Sequence, residues 1–359
     1  MSKTRGPTAR RSARGVALAL ALTGAVLVLV AGMVDWAHAA DAAGPRIIRI
    51  GDYRADGDSG DPVHAGMREF ARRVVAGSQG RMVVRVVPAM PAPPSAQIAA
   101  LRAADTAAPE LMLQATIGLA DIEPAFGWID LPFSIRSARQ ADALLLGRFG
   151  ATLLDRLGQH GLVGLAWWEN GFRHFTTSDV PLRKADDFVG LTVRTLPASM
   201  FVDSYRALGA NPVPLPFAQL AAALRSGRVQ AQDNFCSQIL LGKLYDVQHH
   251  LTLTRHSYSA MVLLANAGFW ASLPEADRAL LRDSALEAGV FQREQARLAE
   301  TRQLSELQAR GMQIHELDSG QWEVLSQRSG TARHGMPDRH DAALQALYAG
   351  ELERHRASR

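Results

Sequence analysis

Hydrophobic and polar positions along this chain alternate between strand-like and helix-like patterns. Ile47-Ile48-Arg49-Ile50 reads as a first strand and Pro62 to Ala76 as a first helix. A Gly77-Ser78-Gln79-Gly80 turn leads to a second strand, Met82 to Val87, whose residues alternate and branch. The Pro/Ala stretch Pro88 to Pro94 is a loop, and Ser95 is placed to cap the helix carrying Ile98 and Leu101. Glu110 to Ala115 gives a third strand, Ala138 to His160 a helical region, and Leu162 to Trp167 a further strand. The same construction recurs after Trp168. Leu191 to Arg194 is a strand, Ser199 to Leu208 and Ala218 to Arg225 are helices, and Val229 to Gln232 is a strand. His249 to Thr254 and Tyr258 to Asn266 read as extended segments, and a long helix runs from Glu275 toward Arg310. Repeated strand, helix, strand order predicts parallel sheets joined by crossover helices.

The ends change the charge balance. Lys3, Arg5, Arg10, Arg11 and Arg14 precede an apolar run from Val16 to Val34, and Ala37-His38-Ala39 has the small-x-small pattern of a signal peptidase site. A Sec signal peptide over residues 1–39 is expected, cleaved between Ala39 and Ala40, which places the mature chain in the periplasm. An uncleaved membrane anchor is the alternative, since the apolar run approaches spanning length. Residues 1–39 hold five of the 39 Lys+Arg and one of the 35 Asp+Glu, so the mature chain has 34 of each and no net charge. The basic balance of the full sequence therefore gives no argument for nucleic acid, and no nucleic-acid motif replaces it. Cys236 is the one cysteine, so no intramolecular disulfide can form. About 320 residues suffice for two α/β lobes.

Candidate chemistry concentrates between Trp167 and His256. Arg173 and Arg194 each sit beside a turn or strand end in apolar surroundings, and Asn234 follows a short strand and points toward a helix start. A guanidinium fork matches a carboxylate with two parallel hydrogen bonds. The pattern predicts a cleft that captures a small organic anion.

The segments Trp168-Glu169-Asn170-Gly171-Phe172-Arg173, Asp186-Asp187-Phe188-Val189-Gly190 with Arg194, Leu208 to Phe217, and Leu224 to Phe235 occur in a particular order and spacing. With the run Pro124 to Phe133 upstream and the helix after Leu273-Pro274 downstream, they resemble the periplasmic solute receptors of TRAP transporters, the dicarboxylate-receptor-like family. That resemblance implies a two-lobed α/β periplasmic binding protein (type II-like) with a central ligand cleft and a long lobe-spanning helix. Lobe I would comprise 40–170 plus 260–299, and lobe II 171–259 plus 300–359. It implies membrane permease subunits as partners, no enzymatic activity and no cofactor. Arg194 matches the family's carboxylate-binding arginine, its plain alternative being a surface pair with Asp186 or Asp187. Arg173 matches a second arginine and could equally be a hinge tie. Asn234 matches the family's asparagine, although Gln230-Ala231 and Phe235 depart from the usual Asp-Gly and proline. Pro197 stands where many relatives carry an amide, which puts a heavily hydroxylated sugar acid in doubt. Phe235 adds an apolar wall.

Trp168 and Phe217 are aromatic candidates for the cleft wall and Gln114 a polar one from the opposite side, with core packing as the alternative for the aromatics. Catalytic signatures such as His-Glu-x-x-His, Gly-x-Ser-x-Gly and a phosphate-cradling loop are missing from the sequence. Asp56 to Asp61 resembles the start of a calcium loop but has Met67 at the twelfth position, and His249, His250 and His256 lack a third zinc ligand at a readable spacing. The rival readings are a periplasmic enzyme acting on carboxylic acids and a sensory ligand receptor.

Overall fold

In a computed structural model of the protein, residues 1–2, 44–52, 61–87, 92–330 and 341–354 are described. The expected signal segment from residue 3 on, its cleavage site and most of the Asp56 to Asp61 run lie outside them. The chain divides into units Met1–Arg46 and Ile47–Arg359, and the second carries the fold. Its strands are β1 (Arg46–Asp52), β2 (Met82–Val86), β3 (Leu111–Ala115), β4 (Leu162–Thr177), β5 (Thr192–Thr195), β6 (Asn211–Pro214), β7 (Ala231–Asn234), β8 (His250–Asn266) and β9 (Gln313–His315). The first helices are α1 (Pro62–Gly77), α2 (Pro94–Arg102), α3 (Thr116–Leu119), α4 (Ala138–Leu146), α5 (Arg148–Arg156) and α6 (Ser199–Ala207). There follow α7 (Phe217–Arg225), α8 (Cys236–Leu241), α9 (Ala267–Ala271), α10 (Glu275–Ala309), α11 (Gln321–Ser329) and α12 (Ala342–Arg354).

All strands belong to one mixed sheet in the order β2-β1-β3-β8-β4-β7-β5-β6, with β9 also paired to β8. The pairings β1–β3, β7–β5 and β5–β6 are parallel, as strand-helix-strand repetition predicts. The centre is not. β4 and β8 run antiparallel to each other and join the flanks through antiparallel pairs with β3 and β7. The expected strand Leu162 to Trp167 is the first half of the long β4, and the two segments expected at 249–254 and 258–266 fuse into β8. The C-terminal half of β8 pairs with β3 and its N-terminal end with β9, while the C-terminal end of β4 pairs with β7. The ladder between them shifts register at Glu169/Gly171 and again at Arg173/Phe175. Gly171 adopts φ 105°, a left-handed backbone that favours glycine, at the first of these shifts.

Local signals start several helices. Pro62 opens α1 and the Asp61 carboxylate accepts from Val63 N at 2.8 Å, while Ser137 caps α4 by accepting from Gln140 N at 3.2 Å. Ser95 does not cap α2. The cap is Pro93, and Pro94 supplies the fixed φ of the first turn. The expected helix Ala138 to His160 breaks at Gly147, whose backbone is extended. There Glu351 Oε1 of α12 accepts from Arg148 N at 2.8 Å, so a carboxylate sits on the N-terminus of α5. Helix α12 thus packs on α4 and α5, and Tyr348 Oη donates to Trp128 O at 2.9 Å. The end of the described chain therefore lies against α4 and α5.

Helix α10 connects two separate cores. Leu281, Ala285 and Ala288 pack with Phe70, Ile50 and Trp168, whereas Leu307 packs with Leu220, Ile239 and Leu251. A third core on the other face joins Phe126, Trp128 and Phe149 to Phe175, Phe188 and Phe201. Trp168 is wedged where α1 and α10 cross β4. A Cβ on Gly66 would lie 2.6 Å from Trp168 Cζ3, and one on Gly289 2.8 Å from Trp167 O. Gly66→Ala should therefore lower the unfolding free energy by about 1–3 kcal/mol through overpacking. Urea titration checks this; an unchanged midpoint would mean that the contact relaxes freely.

Candidate functional site

Where the register of β4 and β8 shifts, strand ends and helix starts surround a cavity of about 150 Å³. Four of the sequence candidates line it: Arg173 from β4, Arg194 from β5, Asn234 at the end of β7 and Phe217 at the start of α7. Strand β5 is held between β6 and β7 in parallel register, with Arg194 facing Val213 and Gln232. The carboxyl ends of such parallel strands are where α/β sheets present groups to ligands.

Arg194 is fully buried, at 0% exposure, and not in the open cleft that a ligand-binding arginine suggested. It is not a surface partner of Asp186 either, since that carboxylate pairs with Arg328. Arg194 Nε donates to Leu215 O at 2.9 Å. Its Nη1 and Nη2 are buried with no hydrogen-bond partner. Burial pushes the guanidinium down to about 10, against the pull of Asp233. A buried cation with two donors unmet is a site prepared for an anion.

Arg173 has a different role in the geometry. Its Nε donates to Asp233 Oδ2 and its Nη2 to Asp233 O, across the β4–β7 pair. Its guanidinium carbon also lies 4.8 Å from the Phe235 ring centroid, a cation–π distance. Asp233 is completely buried. Burial alone would raise its pKa, but Arg173 and His256 outweigh that and hold the carboxyl well below the usual range. His256 is buried too, its Nε2 3.0 Å from Tyr205 Oη and its Nδ1 2.7 Å from Thr254 Oγ1. This ladder fixes Arg173 from beneath while leaving it on the cavity wall.

Asn234 is the last residue of β7, whereas the sequence reading ends the strand at Gln232, two residues before it. Its Nδ2 donates to Gln232 Oε1 and its Oδ1 accepts from Phe235 N, both at 3.3 Å, long contacts that a better partner could replace. Phe217 is 37% exposed, and with Leu196 and Phe235 it forms an apolar side of the cavity.

Two candidates fall elsewhere. Trp168 is completely buried in the core between α1 and α10, where helix glycines admit the indole. Gln114 is also fully buried, and its Nε2 donates to Gln97 Oε1 at 2.8 Å, beneath the cavity wall. Conversely, Asp130, Asn170, Gln238 and Ser259 line the cavity and were not singled out. Asp130 and Asn170 lie within quoted motifs. Ser259 and Gln238 carry no local signal, because the fold alone brings β8 and α8 there.

Among the described residues, no group of three His, Cys, Asp or Glu is placed to hold a metal ion. No helix among them is long and apolar enough to cross a membrane. His250 Nδ1 lies 3.1 Å from His315 Nε2, and His256 belongs to the ladder beneath Arg173.

The family described as bacterial extracellular solute-binding protein, family 7, matches residues 56–331. Among solved structures, the chain resembles a TRAP periplasmic solute binding protein from Ochrobactrum anthropi, with 31% identity and a TM-score of 0.79, covering 87% of this chain and 96% of that one. It also resembles one from Polaromonas sp. JS666 bound to D-erythronate, with 32% identity and a TM-score of 0.74, over 85% and 98% of the two chains. The 2,3-diketo-L-gulonate-binding periplasmic protein of Escherichia coli K12 is 35% identical over 185 residues, 51% of this chain and 56% of that protein. The matches to this and two other curated relatives span 56–63% of their lengths.

Proposed function

Because the chain belongs to bacterial extracellular solute-binding protein family 7, we propose that it is a periplasmic receptor that binds a small organic acid and delivers it to a TRAP-type membrane permease. The observation that carries this reading is the Arg194 guanidinium, buried with Nη1 and Nη2 both unpartnered. A carboxylate docked there accepts two parallel charge-assisted hydrogen bonds and relieves the cost of the unmet donors. Arg173 and Asn234 adjoin it, and the apolar side receives the remainder of the ligand. The relatives that bind D-erythronate and 2,3-diketo-L-gulonate are consistent with an acid as the cargo.

Lobe I comprises 40–170 plus 260–299, now with helix α12, and lobe II comprises 171–259 with the rest of 300–354. The irregular ladder of β4 and β8 is the hinge. Closure excludes water and strengthens each charge contact inside. Residues 1–39 act as a Sec signal, cleaved before Ala40, and permease subunits complete transport. The ligand leaves unchanged, as it does from a receptor and not from an enzyme.

Calorimetry of the Ala40-start protein against a panel of organic acids, followed by recovery of the bound acid, tests this. One acid per chain, recovered intact, is expected, together with a smaller radius of gyration by scattering. A converted product, or no binding by any acid, overturns the reading.

A further inference from the structure

Four charged side chains meet at the cavity, and their charges cancel. Arg173, Arg194 and Asp130 line it, and Asp233 is bonded to Arg173 from behind. All four are buried, so each charge has to be matched locally. With both aspartates ionised, two cations face two anions and the empty cavity is neutral. A docked carboxylate adds one negative charge with nothing left to match it. Neutrality returns if one aspartate takes up a proton as the acid arrives.

Asp130 has the surroundings for that proton. Thr116 Oγ1 lies 2.5 Å from Asp130 Oδ2 and 3.1 Å from Ala260 O. This hydroxyl can donate to an ionised carboxylate, or turn its proton to the Ala260 carbonyl and accept one from a neutral carboxyl. Either protonation state of Asp130 thus has a partner in place. Burial pushes the carboxyl up to about 7, against the hydrogen bonds of Thr116 and Ser259 and the charge of Arg173. The ionisable groups on the elements around it are committed otherwise. Burial works against the charge of Asp233, but Arg173 and His256 hold it ionised, and burial keeps His256 toward its neutral form. On β4, Glu169 is engaged by Arg297 and Tyr258, and His174 by Glu300. Burial raises Tyr205 and Tyr258 well above the usual phenol range, so both stay neutral. Arg194, at about 10, keeps its charge at neutral pH.

We propose that the receptor takes up a proton with each acid it captures, the proton passing from solvent to Asp130 Oδ2 and returning to solvent on release. The inference rests on the carboxylate being held at Arg194. It makes capture tighter as pH falls, although the acid itself stays ionised across the neutral range. Above the free-state value of Asp130 the proton has to be brought in, so binding weakens as pH rises. Below that value the proton is already in place, and affinity levels off.

The test is calorimetry at pH 8 and pH 6 with D-erythronate, pyruvate and butyrate, on the parent and Asp130→Asn. Each titration is run in two buffers of different ionisation heat, whose difference counts the protons taken up. With every acid that binds, the parent should take up at least about half a proton at pH 8 and less than about a quarter at pH 6. Its affinity should be about fivefold higher at pH 6 than at pH 8. Asp130→Asn, which cannot ionise, should bind without uptake and with affinities at the two pH values within about twofold. Binding by the parent without uptake at pH 8 overturns the inference and leaves the carboxylate reading standing. Uptake undiminished in Asp130→Asn assigns the proton to another group and also overturns it. Failure of all three acids to bind the parent defeats the carboxylate reading, and this inference with it.

Discussion

Arg194→Met should abolish tight binding and leave the empty receptor as stable as the parent, or more so. Substrate affinity is expected to fall by about 3–5 kcal/mol, because a buried carboxylate without its cation is an uncompensated charge. The empty protein behaves differently. Two buried guanidinium nitrogens without partners are a standing penalty, and an apolar side chain of similar length removes it at the cost of the Leu215 carbonyl's hydrogen bond. Arg194→Lys retains the charge without the planar fork and should be weaker in both respects. Thermal melts with and without the acid separate these effects. A Met variant that melts far below the parent yet binds the acid normally would show that Arg194 is a structural ion and not the anchor.

Asp233→Ala should have the opposite signature, a loss of fold stability of about 3–5 kcal/mol, because it strands Arg173 in the core. The sign of the pH dependence follows from the depressed carboxyl. In the unfolded chain Asp233 titrates near pH 4, and in the folded protein it titrates lower. Its contribution is therefore fully present above about pH 4 and is lost as pH falls through the folded value. Urea denaturation of parent and variant at pH 7 and at pH 3 measures this, with the gap between them expected to narrow at pH 3. An equal gap at both values would mean that Asp233 does not act through its charge.

The sequence made Arg194, Arg173, Asn234 and Phe217 legible because motif order and strand ends placed them in one region. Trp168 misled because an aromatic beside a functional motif looks the same whether it lines a cleft or fills a core. Only the position of Gly66 and Gly289, on helices distant in sequence, decides between them. Asp233 stood inside a quoted segment, yet its pairing with Arg173 depends on the register of β4 against β7, which period-two alternation does not specify. The antiparallel centre was missed for a related reason: β4 and β8 read as short strands because the register shifts and Gly171 interrupt their patterns.

The central position of β8 also sets when the receptor can fold. Leu111 pairs with Ala265 and Ala115 with Met261, so β3 has no neighbour on that side until β8 has been synthesised. The same holds for the whole length of β4. A growing chain thus holds an open sheet edge through most of its synthesis, and closure waits for contacts of large sequence separation, which form slowly. Such a chain neither completes its first lobe early nor folds half by half from its N-terminus. Its sheet stays open until the last central strand is made, and a chain halted before His250 would lack the ladder between the two central strands.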